Sequence, residues 1–209
     1  MEAAATARQR GVVTWAGRYD AFIWLATFGR ETRLRERLLA PALLKQGESV
    51  LDVGCGTGSL ALLAKRQVGS SGTVHGIDAS APMIARATDK ARKRRTNVAF
   101  DVASADALPF ADDTFDVALS TVMLHHLPKA VRVVAVSEMR RVLRKNGRAL
   151  LVDFAGARNG HGPLLHFHRH GHVDPQAIRD LATNSGLRVV DSGPVGTWSL
   201  QYVLAEKPG

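Results

Sequence analysis

Three aspartates, a glycine cluster and two adjacent histidines are the residues of this chain whose types and spacing suit chemistry. The apolar run Ser49–Val53 contains Asp52 and passes directly into Gly54-Cys55-Gly56-Thr57-Gly58. Glycines lack Cβ, so such a turn can bend sharply and bring backbone close to a ligand. The following Ser59-Leu-Ala-Leu-Leu-Ala-Lys65 reads as a helix whose free N–H groups would face that ligand. A strand, a glycine-rich turn and a helix in this order suit a nucleotide-type cofactor. Asp78 ends a second apolar run, 20 residues after Gly58, the spacing of a carboxylate that accepts from ribose hydroxyls. As an alternative it caps the next helix. Asp106 follows a third run and is placed to accept from an adenine amine, with the Ala107 N–H donating to a ring nitrogen. His125 and His126 follow a fourth run, and an imidazole there can take a proton from a substrate.

The elements that must position these residues alternate. Strands are expected at Ser49–Val53, Thr73–Asp78, Asn97–Val102, Phe115–Thr121 and Arg148–Phe154. Helices are expected at about Thr57–Gln67, from Ser80 to Lys93, and over Lys129–Arg144 with Asn146-Gly147 ending the last in a left-handed turn. Strands separated by helices predict a parallel sheet covered on both faces. The tail breaks the pattern. A helix from Asp174-Pro175 to Asn184 precedes two strands, Leu187–Ser192 and Trp198–Ala205, joined only by Gly193-Pro194-Val195-Gly196. So short a link implies an antiparallel hairpin and one reversed strand near the edge. Upstream, Tyr19–Leu44 carries apolar residues at helical spacing, punctuated by Gly29 and Pro41.

These motifs run in order as Asp52-Val-Gly-Cys-Gly-Thr-Gly58, Gly76-Ile-Asp78, Ala105-Asp106-Ala-Leu-Pro-Phe110, Phe115-Asp-Val-Ala-Leu-Ser120, Leu124-His-His-Leu127 and Gly147-Arg-Ala-Leu-Leu-Val-Asp153. The set resembles the class I S-adenosylmethionine-dependent methyltransferases, and within them the small ubiquinone/menaquinone-type enzymes. The resemblance is strong over residues 45–155 and weak in the flanks. It implies an α/β, Rossmann-like three-layer sandwich with a mostly parallel seven-stranded sheet and an antiparallel C-terminal strand. It also implies a helical cap over residues 1–44 and a cofactor-binding domain over 45–209.

For S-adenosyl-L-methionine the resemblance implies a residue map. Asp52, Gly54, Cys55, Gly56 and Gly58 would receive the methionine moiety, and Asp78 the ribose. Ala79 and Met83 would line the adenine, with Asp106 and Ala107 on its amine edge. Ser120 or Thr121 would lie under the sulfonium, and Tyr19 would close over the cofactor. A dinucleotide dehydrogenase is the nearest chemical rival. It would prefer Gly-x-Gly-x-x-Gly, and Asp52 would sit badly beside a pyrophosphate, whereas it suits a ligand ammonium. A non-catalytic regulator that binds the cofactor or its demethylated product is a second alternative.

Composition bounds the partners. With 209 residues and 45% hydrophobic content, the chain suits one globular unit. The single cysteine, Cys55, rules out an internal disulfide and thiolate metal clusters. The first ten residues lack an apolar signal core and no run reaches membrane-spanning length, so a cytoplasmic location is expected. The net charge of +9 is concentrated in runs such as Lys90-Ala-Arg-Lys-Arg-Arg95. It reads as a solvated helix end, with contact to an anionic membrane as the functional alternative. Without aromatic interleaving, a base-methylation motif or an RNA module, nucleic acid is disfavoured. A small-molecule, quinone-like acceptor fits the resemblance. His166, His168, His170 and His172 alternate onto one face of an extended segment. A pocket lining is favoured over zinc there, and no metal is assigned. Oligomeric state is not legible.

Overall fold

The structure, a computed structural model, describes residues 30–154, 175–196 and 199–209. Helix α1 (Glu31–Leu39) leads through a tight turn, Ala40–Ala42, into β1 (Ser49–Val53). There follow α2 (Ser59–Val68), β2 (Thr73–Asp78), α3 (Ala81–Lys93), β3 (Ala99–Val102), β4 (Phe115–Thr121), α4 (Lys129–Val142), β5 (Leu143–Phe154), α5 (Pro175–Asn184), β6 (Arg188–Pro194) and β7 (Leu200–Glu206). The seven strands form one sheet in the order β3-β2-β1-β4-β5-β7-β6. All neighbours are parallel except β7, which runs antiparallel to both β5 and β6. The expected sandwich with one reversed strand near its edge is therefore present.

Both faces of the sheet are apolar because helices cover both. On one face Leu51, Val53, Ile77, Ala118 and Leu151 pack with Val136 and Met139 of α4 and Ile178 of α5. On the other, Val50, Val117, Leu119, Leu150 and Val152 pack with Leu38 of α1 and Leu60, Ala61 and Ala64 of α2. The order reverses between β1 and β4, and the carboxyl ends there form the crevice where such sheets bind ligands.

Several expected boundaries shift. Strand β6 is Arg188–Pro194 rather than Leu187–Ser192, because Gly193 and Pro194, read as part of the link, pair with Tyr202 and Gln201; β7 is Leu200–Glu206 rather than Trp198–Ala205, and Trp198 lies outside the described residues. Strand β3 begins at Ala99, not Asn97, because the N–H groups of Thr96 and Val98 are used in the turn after α3, on Ala91 O and Thr96 O. Helix α2 begins at Ser59 rather than Thr57, since Gly58 still belongs to the turn and donates its N–H to Cys55 O. Helix α4 stops at Val142 rather than Arg144. Leu143 already pairs with Phe115, and the register shifts before Arg148 resumes opposite Val117. Asn146 does take a left-handed φ of 61°, but inside this irregular strand, where its N–H donates to Lys207 O. Of the helix read over Tyr19–Leu44, Glu31–Leu39 is helical, and the part before residue 30 lies outside the described residues.

Candidate cofactor site and active site

The strand β1 alternation that buries Val50 and the pairing of Asp52 with Leu119 put Asp52 among apolar neighbours. Asp52 is 1% exposed, and neither of its carboxylate oxygens has a hydrogen-bond partner. Burial pushes its pKa to about 7; the charge of Arg35 opposes the rise, the charge of Asp78 adds to it, and the nearby Ala61 N–H of α2, outside hydrogen-bond geometry, opposes it weakly. A carboxylate in this state fits a cationic ligand group that supplies the missing donors.

The turn beyond Asp52 is held by β2. Gly54 and Cys55 both donate their N–H to Ile77 O, at 2.8 and 2.9 Å. Gly56 and Gly58 have φ of 53° and 74°, a region that L side chains rarely adopt. Their surroundings differ. A Cβ on Gly58 would lie 2.6 Å from Phe100 and 2.8 Å from Ala87, whereas a Cβ on Gly56 would meet nothing within 4 Å. Gly58 therefore serves close packing, and Gly56 leaves backbone open to the cleft. Cys55 lines the same cleft, and burial, then the charges of Asp52 and Asp78, raise its thiol pKa well above the ordinary range. It is a filler thiol rather than a nucleophile.

Asp78 ties the glycine turn to the start of α3. Its Oδ2 accepts from Gly56 N–H at 2.9 Å, and its Oδ1 accepts from Ser80 N–H at 2.8 Å at the start of α3. Two carboxylate oxygens carry about four acceptor sites, so two ribose hydroxyls can still be served. Burial raises the Asp78 pKa, and the Ser80 and Gly56 N–H groups work against that rise.

The cleft, of about 200 Å³, is lined along this edge by Asp52, Gly54, Gly56, Asp78, Ala79 and Met83. Its next wall is Ala103, Ser104 and Ala105. Asp106 and Ala107 follow in the same turn, where Asp106 accepts from the Ser104 hydroxyl and Ala107 N–H donates to Ser104 O at 3.2 Å. Thr121 lines the cleft, while Ser120 is fully buried and its hydroxyl meets no partner.

The two histidines separate. His126 is exposed and lines the cleft together with Met123 and Leu127. His125 lies behind it, 8% exposed, with its Nδ1 2.7 Å from Asp153 Oδ1. Tyr19 and His161–His172 lie outside the described residues. Among the described residues no group of three or more histidine, cysteine or acidic side chains could hold a metal.

Two contributors were missed by the sequence reading. Arg35 of α1 lines the cleft, with its Nε and Nη2 donating to Glu31 Oε1 at 2.9 and 2.6 Å. Only the i,i+4 spacing to Glu31 hinted at its order, within a segment crowded with arginines. Lys90, read as part of a solvated basic run, instead donates to Thr57 Oγ1 and Ser59 Oγ at 2.7 and 2.9 Å, bolting the start of α2 to α3.

A doubly covered parallel sheet with a glycine turn and ordered carboxylates at its switch point defines a nucleoside-cofactor protein of the class I methyltransferase type. Comparison with known proteins narrows this. Residues 50–147 match the family described as a methyltransferase domain. The ubiquinone/menaquinone biosynthesis C-methyltransferase of Geobacter sulfurreducens is 35% identical over 147 residues, 69% of this chain and 56% of that protein. The 2-phytyl-1,4-naphtoquinone methyltransferase of Synechococcus elongatus is 32% identical over 169 residues, 80% of this chain and 70% of that protein. Among solved structures, the [4+2]-cyclase SpnF superposes with a TM-score of 0.73 at 21% identity, covering 85% of this chain and 82% of that one, a likeness of fold alone. The chain belongs to the class I S-adenosylmethionine-dependent methyltransferase family, in its ubiquinone/menaquinone-type group. It spans little more than half the length of the Geobacter relative.

Proposed function

We propose that this chain transfers a methyl group from S-adenosyl-L-methionine to a small, apolar, quinone-type acceptor. The observation that carries the reading is Asp52: a buried carboxylate without donors, at the mouth of a glycine turn, suits the ammonium of an amino-acid end better than any phosphate. Arg35 supplies the opposite charge for the carboxylate of that end, and Asp78 the acceptors for the ribose. Ala79, Met83 and the Ala103–Ala105 wall take the adenine, with Asp106 and Ala107 at its edge. Gly54, Cys55 and Gly56 form the floor, and Gly58, carried into the map by the resemblance, packs behind them. Tyr19 and Ser120 are assigned to the same site from the resemblance, and residues 1–44 to a cap over the 45–209 unit.

The sulfonium supplies an activated methyl group and a good leaving group. The protein's part is alignment, which contributes up to roughly 7–11 kcal/mol in well-oriented displacements. Thr121 and Met123 border the space where donor and acceptor must meet. His126 is the imidazole at that space, and we assign it the proton of an acceptor hydroxyl; His125 acts from behind it. The named activities of the relatives, on ubiquinone, menaquinone and phytyl-naphthoquinone chemistry, support an apolar acceptor. Such an acceptor implies peripheral contact with an anionic membrane. Arg66, Lys93, Arg94 and Arg95 are exposed cations for which no carboxylate partner is found among the described residues, and they suit that contact. Among the described residues no helix is long and apolar enough to cross a membrane.

The test is calorimetric titration with S-adenosylmethionine, S-adenosylhomocysteine and NAD, followed by transfer of a labelled methyl group into a lipid extract. Binding of the first two without NAD, and label in an apolar product, is the expected result. Binding without transfer into any extract fraction points to a regulator, and binding of NAD alone overturns the cofactor assignment.

A further inference from the structure

The turn between β4 and α4 carries Met123 and His126 to the cleft, and its construction is unusual. Val122 has a φ of 55°, a left-handed conformation that a β-branched residue adopts only under constraint. Such strain persists when surrounding contacts over-determine it. Those contacts come from three directions. Val122 N–H donates to Val152 O at 2.7 Å, tying the turn to β5. From α4, Arg132 donates through Nε to Leu127 O at 2.9 Å and through Nη2 to His125 O at 3.2 Å. The third is Asp153, at the end of β5 and fully buried.

Asp153 grips His125 twice. Its Oδ2 accepts from the His125 backbone N–H at 2.9 Å, and its Oδ1 faces the His125 ring Nδ1 at 2.7 Å. Oδ1 also accepts from Phe154 N–H at 2.8 Å. In each contact the carboxylate is the acceptor, which assigns the ring proton of His125 to Nδ1. The His125 ring is in turn wedged between the His126 ring, at a centroid distance of 3.9 Å, and the Phe154 ring at 5.4 Å. Any shift of His125 is therefore passed to His126, which lines the cleft.

We propose that Asp153 and His125 are positioning residues: a buried carboxylate–imidazole clamp that holds the strained Thr121–Leu127 turn and so presents Met123 and His126 to the space where the methyl acceptor sits. The cleft as a methyltransferase site is the reading given above; the clamp adds how its acceptor side is set. His125 works through its Nδ1–H and backbone N–H rather than by exchanging protons with substrate.

Two substitutions separate this role from the alternatives. Asp153→Asn leaves one acceptor oxygen for three donors, so at least one N–H faces the amide NH2. His125→Asn keeps a side-chain N–H at the position of Nδ1 and removes the imidazole, while His125→Ala removes both. Each protein is checked for fold by circular dichroism. Each is then titrated calorimetrically with S-adenosylmethionine, and the ring resonances of His126 are followed by NMR in protein labelled with ¹⁵N-histidine. Expected are roughly tenfold weaker binding in Asp153→Asn and His125→Ala, restored to within about threefold by His125→Asn, and displaced His126 resonances in Asp153→Asn, which keeps both imidazole rings. Unchanged binding and unmoved His126 signals in folded Asp153→Asn overturn the proposal. So does a His125→Asn protein as impaired as His125→Ala, because the imidazole itself is then required. If Asp153→Asn does not fold, the His125→Ala and His125→Asn pair decides. Failure of the wild-type protein to bind S-adenosylmethionine would sink the cofactor reading instead, and the His126 resonances of the unliganded proteins would still decide the clamp.

Discussion

Affinity for S-adenosylmethionine should rise with pH through neutrality, because Asp52 must be ionised to receive the ligand ammonium. Burial without donors holds this carboxyl at a pKa of about 7 in the empty cleft. About one molecule in eleven then has Asp52 ionised at pH 6, and about three in four at pH 7.5. The bound ammonium favours the charged form, so binding at pH 6 releases a proton, and the observed affinity follows the ionised fraction of the free protein. Between pH 6 and 7.5 the dissociation constant should fall about eightfold. Calorimetry in two buffers of different ionisation heat reads both the affinity and the released proton. Asp78, also pushed upward, contributes at the acid end, and Asp52→Asn retains that part. Asp52→Asn should bind about tenfold or more weakly at pH 7.5 and lose the rise. The same group carries a stability consequence of opposite sense. A carboxyl raised from 3.8 to about 7 binds its proton in the folded state where the unfolded chain does not. Stability of the ligand-free protein therefore falls as pH rises from about 4 to 7, by up to about 4 kcal/mol from this group, and Asp52→Asn should raise Tm at pH 7.5. A flat affinity profile in the wild type, or an eightfold rise that survives in Asp52→Asn, refutes the reasoning.

Two further outcomes test the parts of the cleft separately. Gly58→Ala drives a Cβ into Phe100 and Ala87 at a φ of 74°, so it should lower stability by about 2–4 kcal/mol in a denaturant titration. Gly56→Ala meets only open space at a φ of 53°, so its stability loss should stay near 1 kcal/mol while S-adenosylmethionine affinity falls more steeply. Equal stability losses in the two would contradict the division between a packing glycine and a cleft glycine. Arg35→Gln should weaken binding and move the midpoint of the affinity profile to higher pH, since Arg35 holds the Asp52 pKa down. A midpoint that stays in place would show that Arg35 does not act on Asp52.

What the sequence could convey depended on how local the determining physics was. Strands β1, β2 and β4 were legible to the residue because each is a short apolar run closed by a glycine turn, an aspartate or a polar turn. The beginning of β3 was not, because Thr96 and Val98 look strand-like and are diverted by bonds to Ala91 and Thr96 that only the packed helix end provides. The end of α4 was set by Lys207, 65 residues away from Val142, which pulls Asn146 and Gly147 into the sheet. The same distance effect governs the site. Asp52, the glycines and Asp78 sit on consecutive elements and could be read from spacing. Arg35 arrives from a helix that carries no motif. His125 and His126 are adjacent in sequence, and only the contact with Asp153, 28 residues further on, separates the buried ring from the exposed one.

The cleft divides recognition between groups that are already satisfied and one that is not. Asp78 is bound to Gly56 and Ser80, so the carboxylate we propose for the ribose and the turn it serves hold each other in place before any ligand arrives. Preorganisation of this kind saves ordering entropy but discriminates poorly, because a dinucleotide also carries a ribose. Discrimination must come from Asp52, whose desolvated carboxyl gains donors and an opposite charge from an amino-acid ligand and neither from a pyrophosphate. A pyrophosphate would instead leave it without donors and place like charge beside it, keeping it protonated. On the proposed reading, the feature that destabilises the fold as pH rises to neutrality is therefore the one that selects the cofactor.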